Sequence, residues 1–358
     1  MKKKTTIFKM RIVHVLSCLL LTLLCGTNFY GQTKEYATLT PSGGRVAPVG
    51  ITLLPGTAGV NSISNAAISN DNNYAVMVAD RAVGLLGTVI VAGGDSYLQL
   101  KFPTNRTAGA TTYVRIDVPE QTGLSLNLGA LLGLVGSSIS AEVYSGATNT
   151  AAGTIVNTTI STKLFQNRNG NYFLAVTPGT AAVYNSVRIN LKYPSGLADV
   201  AGKLTLNVYN AFTGFSSNEI SECGRPLYTY FDNSGLNISL LNLGDQYLGN
   251  AIDNNATTFS QLKQGALLGL NVAGSQSQVF NFGSLSTVSS TLNIKLMLGS
   301  GGVLNTDLLG AAEVILYNGA TEVYHRSLQS SLLNNTNLLA LLGSGQPITM
   351  TFAPGRAF

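Results

Sequence analysis

The chain contains an internal repeat that covers most of its length. Short motifs of residues 85–179 return in the same order within residues 267–355, about 173 to 182 positions later. With the first copy before the second, the recurring motifs are Leu85-Leu86-Gly87 and Leu267-Leu268-Gly269, Val91-Ala92-Gly93 and Val272-Ala273-Gly274, Leu131-Leu132-Gly133 and Leu308-Leu309-Gly310, Tyr144-Ser145-Gly146-Ala147-Thr148 and Tyr317-Asn318-Gly319-Ala320-Thr321, and Pro178-Gly179 and Pro354-Gly355. Solenoid repeats have periods of roughly 20 to 50 residues, so this much longer period indicates a duplicated domain.

Short apolar stretches alternate with turn residues over the whole repeat region. In residues 96–102, Leu98, Leu100 and Phe102 share one face, and Gln99 and Lys101 share the other. This period of two is typical of an antiparallel strand with one face in the core and the other toward water. The pattern predicts strands at residues 96–102, 112–118, 140–144, 172–177, 186–193, 203–209, 279–282, 291–298, 312–317 and 348–352. Gly, Asn, Ser and Thr fill the gaps, at the spacing expected of a β-sandwich.

We therefore predict an all-β protein with two tandem antiparallel β-sandwich domains, at residues 32–212 and 213–358. The second domain is predicted to be incomplete at its C-terminus. In the first copy two strong strands, 186–193 and 203–209, follow Pro178-Gly179, whereas only three residues follow Pro354-Gly355. Loss of those strands would leave open sheet edges and an uncovered core face. We expect a fragment whose second domain is partly disordered, aggregates, or is completed by another chain.

Residues 1–31 have the features of a secretory signal peptide. Five basic residues precede an apolar run from Ile12 to Leu24 that is too short for a membrane span, and cleavage is expected after Gly31. Those five residues account for the whole formal charge of +5, so the mature chain is neutral. It lacks the basic stripe of nucleic-acid-binding proteins. We predict a secreted or cell-surface protein with no nucleic-acid partner and no membrane insertion after signal removal.

Residues that support catalysis are scarce in the mature chain. It has one cysteine, Cys223, which can form no internal disulfide, and one histidine, His325. A nucleophilic triad would depend on His325, and a hydrolytic metal site needs a cluster of His or carboxylate residues that the sequence does not offer. Two carboxylates could hydrolyse a glycosidic bond, but Glu142 and Glu313 fall on equivalent strands of different copies. We predict a protein that is not an enzyme and has no catalytic cofactor.

A turn rich in Asn and Asp precedes the first core strand of each copy. It reads Asn250-Ala251-Ile252-Asp253-Asn254-Asn255 in the second copy and Asn65-Ala66-Ala67-Ile68-Ser69-Asn70-Asp71 in the first. This turn resembles the opening turn of discoidin-like and galactose-binding-like β-sandwiches, and the resemblance implies a jelly-roll type of sandwich. In that superfamily the turn often holds a structural calcium ion through oxygen ligands. The resemblance makes Asp253, Asn254 and Asp71 candidate calcium ligands, and a plain turn closed by Asx hydrogen bonds is the alternative.

The repeat as a whole also looks like modules of very large exported proteins of Bacteroidota. Those modules are Leu-Leu-Gly-rich sandwiches with an Ala-Pro-Gly-x-Ala-Phe/Tyr segment before their final strands. The corresponding segment here is Ala353-Pro354-Gly355-Arg356-Ala357-Phe358. The resemblance covers most of residues 63–358. It implies a surface or adhesin-like protein, often exported by the type IX system, and it indicates a location rather than a mechanism.

Aromatic residues between the two copies are candidates for ligand binding. They are Tyr228, Tyr230, Phe231 and Tyr247. Flat aromatic rings can stack on sugar rings, although sugar platforms favour tryptophan and the chain has none. We predict a non-catalytic adhesion or binding region of a larger surface protein, whose partner is an extracellular glycan or protein. A carbohydrate-binding module of a polysaccharide-degrading system and a purely structural stalk are the alternatives.

Overall fold

The computed structural model describes sixteen stretches of the chain. They are residues 34–46, 54–55, 58–67, 72–80, 83–85, 89–92, 94–119, 138–179, 182–193, 203–215, 224–232, 248–260, 277–297, 312–328, 330 and 347–358. The predicted signal peptide lies outside them, and so do Cys223 and the site candidates Asp71 and Tyr247.

Strands make up almost all of the regular structure. They are β1 (Glu35–Tyr36), β2 (Leu39–Val46), β3 (Leu54–Pro55), β4 (Gly59–Asn61), β5 (Ala75–Asp80), β6 (Val83–Leu85), β7 (Val89–Ala92), β8 (Asp95–Arg106), β9 (Thr112–Asp117), β10 (Ile139–Ser145), β11 (Thr154–Ile155), β12 (Ile160–Asn167), β13 (Tyr172–Pro178), β14 (Tyr184–Leu191), β15 (Lys203–Thr213), β16 (Pro226–Asp232), β17 (Ser277–Phe282), β18 (Leu292–Leu296), β19 (Glu313–Asn318), β20 (Thr321–Ser327) and β21 (Ile348–Phe352). Within the described stretches, two short 3-10 helices span Ile63–Ala67 and Leu248–Ala251. Every predicted strand overlaps one of these strands, and the predicted all-β, antiparallel fold is confirmed. Across the described stretches, no helix combines the length and the apolar character that a membrane crossing requires.

The chain divides into two compact units, Met1–Asn281 and Phe282–Phe358. The first unit contains two large sheets. The nine-stranded sheet has the order β17-β16-β12-β13-β9-β15-β5-β4, with β1 also paired to β15, and the five-stranded sheet has the order β11-β10-β14-β8-β2. The end of the first unit at Asn281 differs from the boundary at residue 212 that the repeat indicates. The tandem two-domain organisation stays a prediction.

One apolar core joins the two large sheets. Leu98 and Leu100 of the five-stranded sheet and Val114 and Leu174 of the nine-stranded sheet are wholly buried in the same cluster. Their alternation along each strand places them on one face, as the sequence pattern predicts. Each such side chain contributes about 1.5 to 3 kcal/mol when it is fully buried. The first unit is therefore a β-sandwich stabilised by apolar burial between its sheets.

Residues beyond the predicted first domain extend its nine-stranded sheet. β16 pairs with β12 at Thr229 and Tyr228, which lie opposite Gln166 and Asn167. The amide of Gly249, in the second 3-10 helix, donates a hydrogen bond of 2.7 Å to Oε1 of Gln166. A Cβ on Gly249 would lie 3.1 Å from that same side chain, so the close approach favours glycine. The segment that the sequence assigns to the start of the second domain thus packs as part of the first unit.

The described part of the second unit contains two strand pairs, β18 with β21 and β19 with β20. Met350 and Phe352 form its small buried cluster, against which inward residues of β18 and β19 pack. The pairing of β18 with β21 has the same register as the pairing of β9 with β13 in the first unit. The corresponding pairs, first unit before second, are Thr112–Val176 and Leu292–Phe352, Tyr113–Ala175 and Asn293–Thr351, Val114–Leu174 and Ile294–Met350, Arg115–Phe173 and Lys295–Thr349, and Ile116–Tyr172 and Leu296–Ile348. Gly146 after β10 and Gly319 after β19 also share a left-handed conformation, with φ of 66° and 60°.

Candidate functional site

Aromatic side chains form a cluster on the outer face of the nine-stranded sheet. In β9, Val114 and Ile116 enter the core, so Tyr113, one position before Val114, points to the opposite face. The group, called the aromatic cluster below, consists of Tyr36, Tyr113, Phe165, Phe173, Phe212, Phe215, Tyr228 and Tyr230. The outer face of an antiparallel sheet normally carries polar residues. An apolar area on this face therefore indicates either packing by another segment or a binding surface.

The rings of the aromatic cluster pack against one another. Tyr113 stacks on Tyr228 with centroids 5.6 Å apart and 7° between the ring planes, and on Phe212 with 5.6 Å and 23°. Phe165 meets Tyr113 and Tyr228 edge-on, at 6.1 and 6.0 Å. Burial raises the pKa of Tyr113 to about 12. The faces of the central rings are thus used within the cluster, and the half-buried rings at its margin, such as Tyr230, are the ones open to a partner.

Two lysines lie over rings of the aromatic cluster. Nζ of Lys34 is 3.9 Å from the centroid of Phe212. Nζ of Lys163 is 4.5 Å from the centroid of Tyr230 and donates a hydrogen bond of 3.2 Å to its hydroxyl. A cation over an aromatic face stabilises the folded state by about 0.5 to 1 kcal/mol at exposed sites and by about 2 kcal/mol when the pair is desolvated. The margin of the cluster therefore combines aromatic surface with positive charge.

The structure places the predicted ligand-binding candidates in different environments. Tyr228 is 5 % exposed and lies at the centre of the aromatic cluster. Tyr230 is half-buried at its margin. Phe231 is 7 % exposed and belongs to the core between the sheets, so its side chain does not face a surface ligand. Tyr247 is outside the described residues. Of the candidates described, Tyr230 is the one placed to touch a partner.

The Asx-rich turn around Asp253 is closed by its own hydrogen bonds. Oδ1 of Asp253 accepts a bond of 2.8 Å from the amide of Asn255, and Oδ2 accepts one of 2.7 Å from Oγ1 of Thr258. Asn254 has a left-handed φ of 67°, which asparagine tolerates. Both carboxylate oxygens therefore already serve the turn. The described residues contain no group of three or more His, Cys, Asp or Glu side chains arranged to hold a metal ion. Calcium binding by this turn stays a prediction.

One hydrogen bond near this turn has a counterpart in the first copy. Nδ2 of Asn65 donates to the carbonyl of Tyr74 at 3.2 Å, and Nδ2 of Asn250 donates to the carbonyl of Phe259 at 3.4 Å. Both bonds span nine residues, and each begins in one of the two 3-10 helices. The asparagines that recur in the sequence thus make the same type of hydrogen bond in both copies.

His325 lies on β20 beside two carboxylates. Its Nε2 is 3.0 Å from Oε2 of Glu313, and its Nδ1 is 3.3 Å from Oε1 of Glu322. The hydrogen bond with Glu313, followed by the negative charges of both carboxylates, raises the pKa of His325 above its usual value of 6.5. All three side chains are close to half exposed. The arrangement is that of a charged cluster on the surface of a hairpin.

Sequence reasoning missed a buried polar network on the outer face of the five-stranded sheet. Gln99 is wholly buried. Its Oε1 accepts hydrogen bonds from Oγ of Ser42 at 3.0 Å and from Arg188 at 3.1 Å. Its Nε2 donates to Oγ of Ser186 and to the carbonyl of Ala152, both at 2.7 Å. Alternation along β8 places Gln99 on the face expected to meet water, and no local pattern shows that the loop 146–153 covers it.

The aromatic cluster is the feature of the described residues best suited to contact a partner. The turn at Asp253 is closed by its own hydrogen bonds, and the network around Gln99 is buried. No protein-family model and no curated protein sequence matches this chain. The geometry of the aromatic cluster therefore carries the functional proposal.

Proposed function

We propose that this chain is a non-catalytic binding region of an exported cell-surface protein, and that it adheres to a partner protein through the margin of the aromatic cluster. The observation that carries the proposal is a cluster of aromatic rings, half-buried at its margin, on an outer sheet face that normally carries polar residues. Extended apolar patches on such faces mark interaction sites, and aromatic residues are enriched in protein interfaces. The signal-like residues 1–31 and the resemblance to surface modules support export.

The ring geometry favours a protein partner over a sugar. A pyranose ring stacks on an aromatic face that is open to solvent. In this cluster the faces of Tyr113 are occupied by Tyr228 and Phe212. A protein surface can instead pack against the half-buried rings Phe165 and Tyr230 and place acidic groups beside Lys163. A carbohydrate-binding module is the alternative, with those half-buried rings as its platform.

The repeated strand pairings support a tandem arrangement of sandwich modules. β18 pairs with β21 in the register that β9 has with β13, and the hydrogen bonds of Asn65 and Asn250 correspond in the two copies. Repetition of this kind suits adhesion regions, where several modules present similar surfaces, and it equally suits a stalk that spaces other domains. The exposed cluster of His325 with Glu313 and Glu322 is a surface charge arrangement, which agrees with a non-catalytic role.

Binding experiments on the chain without residues 1–31 test the proposal. The chain is applied to a glycan array and to a panel of purified extracellular matrix proteins. We expect saturable binding to a protein and a loss of roughly tenfold or more with Tyr230→Ala, the effect of an interface hot spot. Tyr317→Ala removes a half-exposed tyrosine of β19 outside the aromatic cluster and is the matched control. Sugar-selective binding that Tyr230→Ala abolishes would establish the glycan alternative. Absence of binding in both formats would favour a stalk and overturn the proposal.

A further inference from the structure

Two further tyrosines meet on the outer face of the nine-stranded sheet, beside the aromatic cluster. Ala75 of β5 and Val208 of β15 pair with each other and are wholly buried in the core. Tyr74 and Tyr209 adjoin that pair and point to the opposite face, where their ring centroids are 5.2 Å apart with 57° between the ring planes. The two rings therefore form a corner on the surface of the sheet.

A β-bulge turns Tyr209 toward Arg115. β15 pairs with β9 at Val208–Ile116 and next at Asn210–Arg115, so Tyr209 is an extra residue between the two pairs. Bulges re-aim a side chain and are over-represented next to functional sites. Here the guanidinium carbon of Arg115 lies 4.3 Å from the centroid of the Tyr209 ring. The bulge thus brings an aromatic ring and a planar hydrogen-bonding group together.

Two asparagines hold the guanidinium of Arg115 in place. Arg115 follows Tyr113 by two positions in β9 and shares its face. Its Nη2 donates a hydrogen bond of 3.2 Å to Oδ1 of Asn171, and Nη1 and Nη2 are each 3.5 Å from Oδ1 of Asn72. Because the amide oxygens face the guanidinium, the amide nitrogens of both asparagines point away from it. The two rings are therefore bordered by planar polar groups of fixed orientation.

The charges around Tyr209 have opposite signs. Burial, followed by the negative charge of Asp117, raises the pKa of Tyr209, and the positive charge of Arg115 opposes this rise. The Tyr209 hydroxyl is therefore uncharged at neutral pH and can both donate and accept a hydrogen bond. An arginine and an aspartate that act on the same hydroxyl favour an uncharged ligand over an anion such as a phosphate or a uronic acid.

We propose that Tyr74, Tyr209 and Arg115, together with the two asparagines, bind a neutral saccharide. Tyr74 is 38 % exposed, so a pyranose can stack its C–H groups on this ring. Planar amide and guanidinium groups then meet the sugar hydroxyls, as the few convergent polar groups of a small-molecule site do. The saccharide site is separate from the protein contact proposed at Tyr230.

A glycan array that carries neutral hexose oligosaccharides and uronic-acid oligosaccharides tests this proposal. The chain without residues 1–31 is applied, and calorimetric titration measures the affinity for the saccharide that it binds best. We expect the parent chain to bind neutral saccharides and Tyr74→Ala to weaken this binding by roughly tenfold or more. Arg115→Lys keeps the positive charge, loses the planar set of donors and should also weaken binding. Tyr230→Ala and Tyr317→Ala are the controls and should bind as the parent does.

Urea unfolding of each variant separates a lost contact from a lost fold. Tyr74 is exposed, so Tyr74→Ala should keep the parent midpoint. Three results would overturn the proposal: no binding to any saccharide on the array, equal binding of uronic-acid and neutral saccharides, or sugar binding that Tyr230→Ala abolishes and Tyr74→Ala leaves intact. Protein binding at the aromatic cluster is measured separately on the protein panel, where Tyr74→Ala should have no effect. Failure of one proposal is thus distinguishable from failure of the other.

Discussion

Replacement of Gln99 is expected to destabilise the first unit although the residue lies on an outer sheet face. Gln99 is wholly buried beneath the loop 146–153, and its side chain makes hydrogen bonds to Ser42, Arg188, Ser186 and Ala152. Gln99→Ala removes all four bonds. Ser186 is also wholly buried, so its hydroxyl would lose a partner in a place with little access to water.

The magnitude follows from these contacts. A typical intramolecular hydrogen bond contributes about 0.5 to 1.5 kcal/mol, and a bond to a charged group such as the Arg188 guanidinium contributes about 1.5 to 3 kcal/mol. Because the bonds share one amide, their contributions are not additive, and we expect Gln99→Ala to lower the free energy of unfolding by about 3 to 5 kcal/mol. With a urea m-value near the upper end of the usual range of about 1 to 3 kcal/mol/M, the midpoint should fall by roughly 1 to 2 M.

Urea unfolding followed by tyrosine fluorescence measures this loss, since the chain has no tryptophan. Lys101→Ala, on the same face of β8 but half-buried, is the matched control and should change stability by less than about 0.5 kcal/mol. Gln99→Leu fills the volume without the hydrogen bonds and should be nearly as unstable as Gln99→Ala. If Gln99→Leu instead recovers the parent stability, the network does not stabilise the fold and the reasoning is wrong.

Three further predictions concern other parts of the molecule. Gly153 has a φ of 76°, and a Cβ there would overlap the carbonyl oxygen of Ser145, so Gly153→Ala should destabilise by about 1 to 3 kcal/mol. Gly146→Ala, at a φ of 66° with open space around it, should lower the free energy of unfolding by about 1 kcal/mol. If urea unfolding shows the same loss for Gly146→Ala and Gly153→Ala, the clash at Gly153 is contradicted. NMR titration should give His325 a pKa above 6.5 that falls in Glu313→Gln. Its pairing should stabilise the hairpin below pH 6.5 and lose that contribution as pH rises through the raised pKa, and an unshifted titration would refute the pairing. Asp253→Ala should lower stability by about 1 kcal/mol in EDTA and in calcium alike, because the carboxylate serves the turn. A rise in melting temperature with calcium that Asp253→Ala abolishes would instead establish an ion site.

The candidate site was only partly predictable from the sequence. Tyr228 and Tyr230 stand out because they are close neighbours in an aromatic segment. Their partners Tyr113, Phe165 and Phe212 come from three other strands, and nothing in their local sequence links them. The order of strands in the sheet brings these rings together, and this order depends on pairing between distant segments. Phe231 shows the converse, because its position one residue beyond Tyr230 sends it into the core.

The sequence by itself determined the ten strands predicted above, the inward faces of those strands and the recurring motifs of the two copies. These features depend on alternation, on glycine and on asparagine within a few residues, and such short-range patterns can be read without knowing which segments become neighbours. Only the tertiary structure decided that Gln99 is buried and that the first unit extends to Asn281. A loop from another part of the chain covers Gln99, and the pairing of Thr229 with Gln166 joins β16 to the first sheet. The burial of a residue and the boundary of a unit depend on contacts between residues far apart in sequence. A local sequence pattern gives no information about those contacts.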